Sequence, residues 1–132
     1  MIYKITCQRP GISAALSTLA SAAQLNGLLR HSYQVQACGI SYRDLAAAYQ
    51  AQKDGENDTR TMTLLIQKKL EQHIKLFDAI EDRGGLQWLE SCEYADDSAF
   101  WQGIGQDSPY IRCLISAYKQ VYCNLYHPDY EG

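Results

Sequence analysis

Apolar and polar positions along this chain follow two different periods. Across residues 59–83, Met62, Ile66, Leu70, Ile74 and Phe77 recur every three or four positions, with Leu65 and Ile80 widening the stripe. That is the spacing of one buried helix face, and Gly84-Gly85 supplies the stop. Residues 109–126 repeat the pattern through Ile111, Leu114, Ile115, Tyr118, Val121, Tyr122 and Leu125. Ser108 is placed to cap this helix, Pro109 is its first residue, and Pro128 lies just past its end. Two more helices are expected. One runs from a Ser13 cap to about Leu29, rich in alanine. The other starts at Ser41 and buries Tyr42, Leu45, Ala46 and Tyr49. A shorter helical turn is expected around "LQWLE".

Period-2 alternation occurs twice, at Tyr3, Ile5 and Cys7 and again at Tyr33, Val35 and Ala37, the latter interleaved with Gln34 and Gln36. The predicted fold is therefore mainly α, with about four principal helices in one compact domain spanning residues 1–132. A small two-stranded β ribbon is formed by residues 2–7 and 33–37. No linker or composition break divides the chain. "GIS" occurs at 11–13 and again at 39–41 without further alignment, which reads as two similar helix starts rather than a duplication.

Composition adds bounds. The chain has 132 residues, 46% apolar and 20% charged, enough for a core without disulfides or metal. Its five cysteines are odd in number and lack a C-x-x-C pair, and its three histidines are scattered. No zinc-ligand spacing results, no metal or cofactor is expected, and reduced thiols point to a cytoplasmic protein. No stretch is apolar enough for long enough to span a membrane. Lys4 and Arg9 ahead of "ISAALSTLASAA" have the outline of a secretory leader, but hydroxyl residues dilute the apolar run and favour a buried helix.

The net charge of −3 hides an asymmetry. Residues 1–53 carry Lys4, Arg9, Arg30, Arg43 and Lys53 against Asp44, a net of +4. Residues 78–97 carry Asp78, Glu81, Asp82, Glu90, Glu93, Asp96 and Asp97 against Arg83, a net of −6. Carboxylates at a helix C-terminus oppose the macrodipole, so a surface for a basic partner is the functional reading of this run. Magnesium held by Glu90, Glu93, Asp96 and Asp97 is a weaker reading, because spacing alone does not define an octahedral site. Ten tyrosines against two phenylalanines add a second hint. Tyrosine suits places where a ring is buried and its hydroxyl is wet, and Tyr126 is the best interface candidate.

Three motif readings compete with bland ones. "WQGIGQDSPYIR" places Gly103, Gly105 and Arg112 around a helix N-terminus, as an anion site would. Pro109 removes a donor there and Asp107 adds a negative charge, so a plain cap explains the stretch better. "DGEND" puts Asp54, Glu56 and Asp58 at calcium-loop spacing, but Thr59 and Leu65 stand where glycine and glutamate belong. "CGISYRDLAAAYQ" resembles the turn and second helix of a helix-turn-helix, with Tyr42, Arg43 and Gln50 as readers, although "YQVQA" before it alternates like a strand.

The expected function is that of a small non-catalytic accessory or regulatory protein. It would bind a protein partner with a basic surface, within a larger and even nucleoprotein assembly. The residues selected are Glu81, Asp82, Glu90 and Glu93 with the aromatic anchors Trp88, Trp101 and Tyr126. The alternatives are a nucleic-acid binder using the 38–50 segment and a small enzyme with an anion site at residues 103–112. Catalysis has thin support, since no serine, cysteine or histidine sits in a recognisable motif. A convergence of Cys92 with His73 is the best that can be named.

Overall fold

The computed structural model describes residues 2–96 and 98–127, so Asp97 and Pro128 lie outside the described residues. The chain is mainly α. Its two longest helices, α4 (Thr59–Gln72) and α7 (Pro109–Tyr126), form the most extensive element contact. Each begins where the side-chain chemistry dictates. Asp58 accepts from the Thr61 amide at the start of α4, and Ser108 Oγ accepts from the Ile111 amide at 3.1 Å with Pro109 behind it.

Met62, Leu65, Ile66 and Leu70 of α4 meet Ile111, Leu114, Ile115 and Val121 of α7 within one continuous core. The shorter helices α1 (Ile12–Leu16), α2 (Ala20–Leu25), α3 (Leu45–Gln52), α5 (Ile74–Arg83) and α6 (Leu86–Ser91) surround this pair. Gly84 and Gly85 both have positive φ and separate α5 from α6, as the sequence predicts.

Both predicted strands exist, but they do not pair with each other. β1 (Lys4–Ile5) runs parallel to β4 (Glu93–Tyr94), and β5 (Gly103–Ile104) is antiparallel to β4 on its other side. β2 (Val35–Ala37) instead forms a hairpin with β3 (Ile40–Tyr42), in the register Ala37↔Ile40. Its two-residue turn, Cys38-Gly39, has φ of 53° and 77°, the paired left-handed conformation that matches strand twist. Local closure of this hairpin takes β2 away from the N-terminal strand.

Two predicted helices are broken by polar groups. The expected 13–29 helix is interrupted where Ser17 Oγ donates to the Ala14 carbonyl at 2.7 Å and the Thr18 carbonyl accepts from the Ala46 amide at 2.8 Å. Ser13 does not cap it; its hydroxyl instead accepts from the Thr6 amide and bonds the Lys4 carbonyl. The expected 59–83 helix breaks at His73, whose Nε2 lies 2.7 Å from the Gln34 carbonyl. The helix expected from Ser41 starts only at Leu45, capped by Asp44.

Candidate functional site

The acidic helix end and the tyrosine ridge come together at the C-terminal half of α7. Phe77 and Ile80 of α5 are fully buried, which leaves Asp78 and Asp82 exposed and Glu81 half-buried. A ladder of rings climbs outward from the core. Phe77 stacks on Tyr118 at 5.1 Å between centroids, Tyr118 lies 6.2 Å from Tyr122, and Tyr122 lies 4.7 Å from Tyr126. Exposure rises along it, from 6% at Tyr118 to 40% at Tyr122 and 54% at Tyr126, with Leu125 at 48% beside them.

Tyr126 donates its hydroxyl to Glu81 Oε1 at 3.2 Å, and that bond raises its pKa. Burial, reinforced by the Glu81 charge, pushes Tyr118 up to about 12. Both phenols therefore stay neutral donors across the physiological range. Among the described residues the sole ion pair within 4.0 Å joins Lys53 to Glu56. The carboxylates of Asp78, Glu81 and Asp82 consequently have no close cation of this chain. A patch of open aromatic faces edged by uncompensated carboxylates is chemically suited to guanidinium and ammonium groups.

The remaining predicted anchors and acids are dispersed. Trp88, on α6, is half-buried against the Tyr3 ring at 5.4 Å, with the Arg83 guanidinium over both rings at 5.1 and 5.6 Å. Trp101 was placed on an exposed rim by its sequence context, whereas it is 5% exposed; its ring meets the edges of Tyr49 and Phe100 and closes part of the core. Glu90 is exposed on α6, where its carbonyl approaches Gly105. Glu93 lies half-buried in the central strand β4. Of the four selected acids, only Glu81 touches a selected aromatic residue.

The stretch that resembled an anion cradle has little to offer one. Ser108 Oγ donates to the Trp101 carbonyl and accepts from the Ile111 amide, and the Arg112 amide donates to the Ser108 carbonyl. Gly105 donates its amide to the Cys92 carbonyl at 2.8 Å. Arg112 points outward beside Thr59, Thr63 and Cys113. The 38–50 segment is not a helix-turn-helix, because residues 35–42 form the β2–β3 hairpin. Tyr42 is therefore in a strand, Arg43 precedes α3 and Gln50 is exposed on α3, so the three do not project from one helix. In the calcium-like loop, Asp58 is occupied as a helix cap and Glu56 pairs with Lys53.

Cys92 and His73 do not converge either. Cys92 donates to the Trp88 carbonyl and burial pushes its thiol up to about 12, while His73 packs against the Tyr33 ring at 5.1 Å.

Sequence reasoning missed one buried pair of charged residues. Lys69 is 2% exposed, donates to the Ser17 carbonyl at 3.0 Å and sits 5.7 Å from the centre of the Tyr33 ring. Burial lowers its pKa to about 7, against a smaller opposing pull from Asp44. Asp44 is 1% exposed and fully engaged, accepting from the Ala47 amide and from the amide and hydroxyl of Ser21. The signal for Lys69 was present in the sequence, since it falls four residues after Leu65 and three after Ile66 on the buried stripe.

No helix among the described residues is long and apolar enough to cross a membrane. Comparison with protein-family models, with curated proteins and with solved structures finds no match to this chain.

Proposed function

We propose that this protein is a non-catalytic binding module, an accessory or regulatory component that holds a basic segment of a protein partner against the α5–α7 ridge. The observation that carries the reading is the joining of Tyr122 and Tyr126 to the unpaired carboxylates of Asp78, Glu81 and Asp82. Carboxylates raise the encounter rate with a basic segment, and open rings hold its arginine or lysine side chains once it arrives. Glu90, Glu93 and Trp88 are outside this contact, and Trp101 supports it only through the core. A cytoplasmic setting belongs to the same proposal and rests on the five unpaired cysteines.

The test uses a fluorescent ten-residue peptide of alternating arginine and glycine, with a glutamate-for-arginine peptide as control. Binding is followed by anisotropy at several salt concentrations. The basic peptide should bind with an affinity that falls as salt rises. Tyr126→Ala and Glu81→Gln should each weaken it by about two- to fivefold. Equal binding of both peptides, or variants indistinguishable from the parent, would overturn the proposal.

A further inference from the structure

A second feature lies away from the ridge and shares no residue with it. α3, the loop after it and the β4–β5 connection enclose a cleft of about 190 Å³. Its floor is apolar and rigid. Met62 is 2% exposed, and Tyr49 is held by the Asp58 amide on its hydroxyl at 2.9 Å and by the Trp101 ring at 5.7 Å.

Polar groups with no partner converge on this floor. The indole N–H of Trp101 donates to no group of the chain, yet no buried side-chain nitrogen or oxygen among the described residues lacks a hydrogen-bond partner. The N–H must therefore reach solvent, and the cleft is the opening that Trp101 lines. The Gln50 and Asn57 amides and the Ser98 hydroxyl line the same cleft, again without side-chain partners in the chain. Apolar walls with a few convergent polar groups are the usual make-up of a small-molecule site.

The charges narrow the occupant. Lys53 and Glu56 face each other across the rim at 3.0 Å, and the Lys53 ammonium lies 5.8 Å from the centre of the Tyr49 ring. One cation and one anion give the mouth no net charge, which favours a molecule carrying both signs. The volume is below the roughly 300–1,000 Å³ of sites for drug-sized ligands, so the molecule is small.

We propose that this cleft binds a free amino acid with an apolar side chain. Its carboxylate is received by Lys53 and the Trp101 indole, its ammonium by Glu56 and the Gln50 carbonyl, and its side chain by Met62 and Tyr49. Phosphorylated ligands are disfavoured by Glu56 and by the size of the cleft.

The experiment uses ¹⁵N-labelled full-length protein, in which Trp88 and Trp101 give two indole signals that Trp88→Phe distinguishes. Leucine is titrated to about 10 mM, above the usual range of metabolite sites. Isoamylamine, 4-methylpentanoate and adenosine are the controls. The Trp101 signal should shift saturably with leucine, and clearly less with the two fragments that carry one charge each. Lys53→Met should weaken leucine binding about tenfold. Gln50→Ala, at an exposed position, gives a second reading should Lys53→Met lose its fold. No shift with leucine, fragments as effective as leucine, or a response to adenosine in its place would overturn the proposal.

Discussion

Lys69 shows how much one side chain can set. Its amine is enclosed by α4, the Ser17 carbonyl and the Tyr33 ring, and burial brings its pKa down from 10.5 to about 7. In the unfolded chain the same amine keeps its proton up to 10.5. Between those two values the unfolded state binds more protons, so this group makes stability rise with pH above about 7, and below that its penalty is complete. Lys69→Met removes the titration. Urea unfolding of both proteins from pH 6 to 8.5 should show the parent gaining on the variant as pH rises, with a slope approaching about 1.4 kcal/mol per pH unit. Parallel curves would show that the amine stays charged in the fold. The window stops short of the thiols, whose raised folded values act in the opposite sense.

At the scale of elements, what the sequence revealed depended on whether the cause was local. α7 was readable from end to end because its cap, its proline and its stripe all lie within the helix. Ser108→Ala removes the acceptor of the Ile111 amide and the donor to the Trp101 carbonyl together. It should cost about 1–2 kcal/mol in thermal or urea unfolding, and a loss below a few tenths would show that the cap is dispensable. The breaks at Ser17–Thr18 and at His73 were not readable, because their partners, Ala46 and Gln34, are remote in sequence. The same holds for Gly105. A Cβ there would come within 2.3 Å of the Glu90 carbonyl, at a φ of 54°. Gly105→Ala should therefore destabilise the protein more than Ser108→Ala does, by a mechanism of backbone clash and strain. The candidate site divides in the same way. Glu81 and Tyr126 were both chosen from the sequence, but their contact across 45 residues needed the packing of α5 on α7. Trp101 was misjudged because the polar residues around it in sequence gave no sign that Tyr49 would cover its ring.

For the whole molecule, one core cluster draws residues from Ile5 through Val121 and includes members of both the N-terminal sheet and the α4–α7 pair. Tyr110 reinforces it by donating to the Leu16 carbonyl at 2.6 Å, which ties the last helix to the first. A chain with a single shared core should unfold in one cooperative step. Calorimetry should give one transition whose calorimetric and van't Hoff enthalpies agree, and two resolved transitions would mean that the N-terminal segment folds apart from α4 and α7. The same cooperativity separates stability from binding. Tyr126 and Glu81 lie at the rim, and their hydrogen bond is exposed. Tyr126→Ala and Glu81→Gln should leave the transition within about 0.5 kcal/mol of the parent while weakening the basic peptide. Gly105→Ala should do the reverse, lowering the transition while the molecules still folded bind the peptide with parental affinity. If Gly105→Ala weakened binding at temperatures well below its transition, the ridge would depend on the α6–β5 junction as well as on its own side chains.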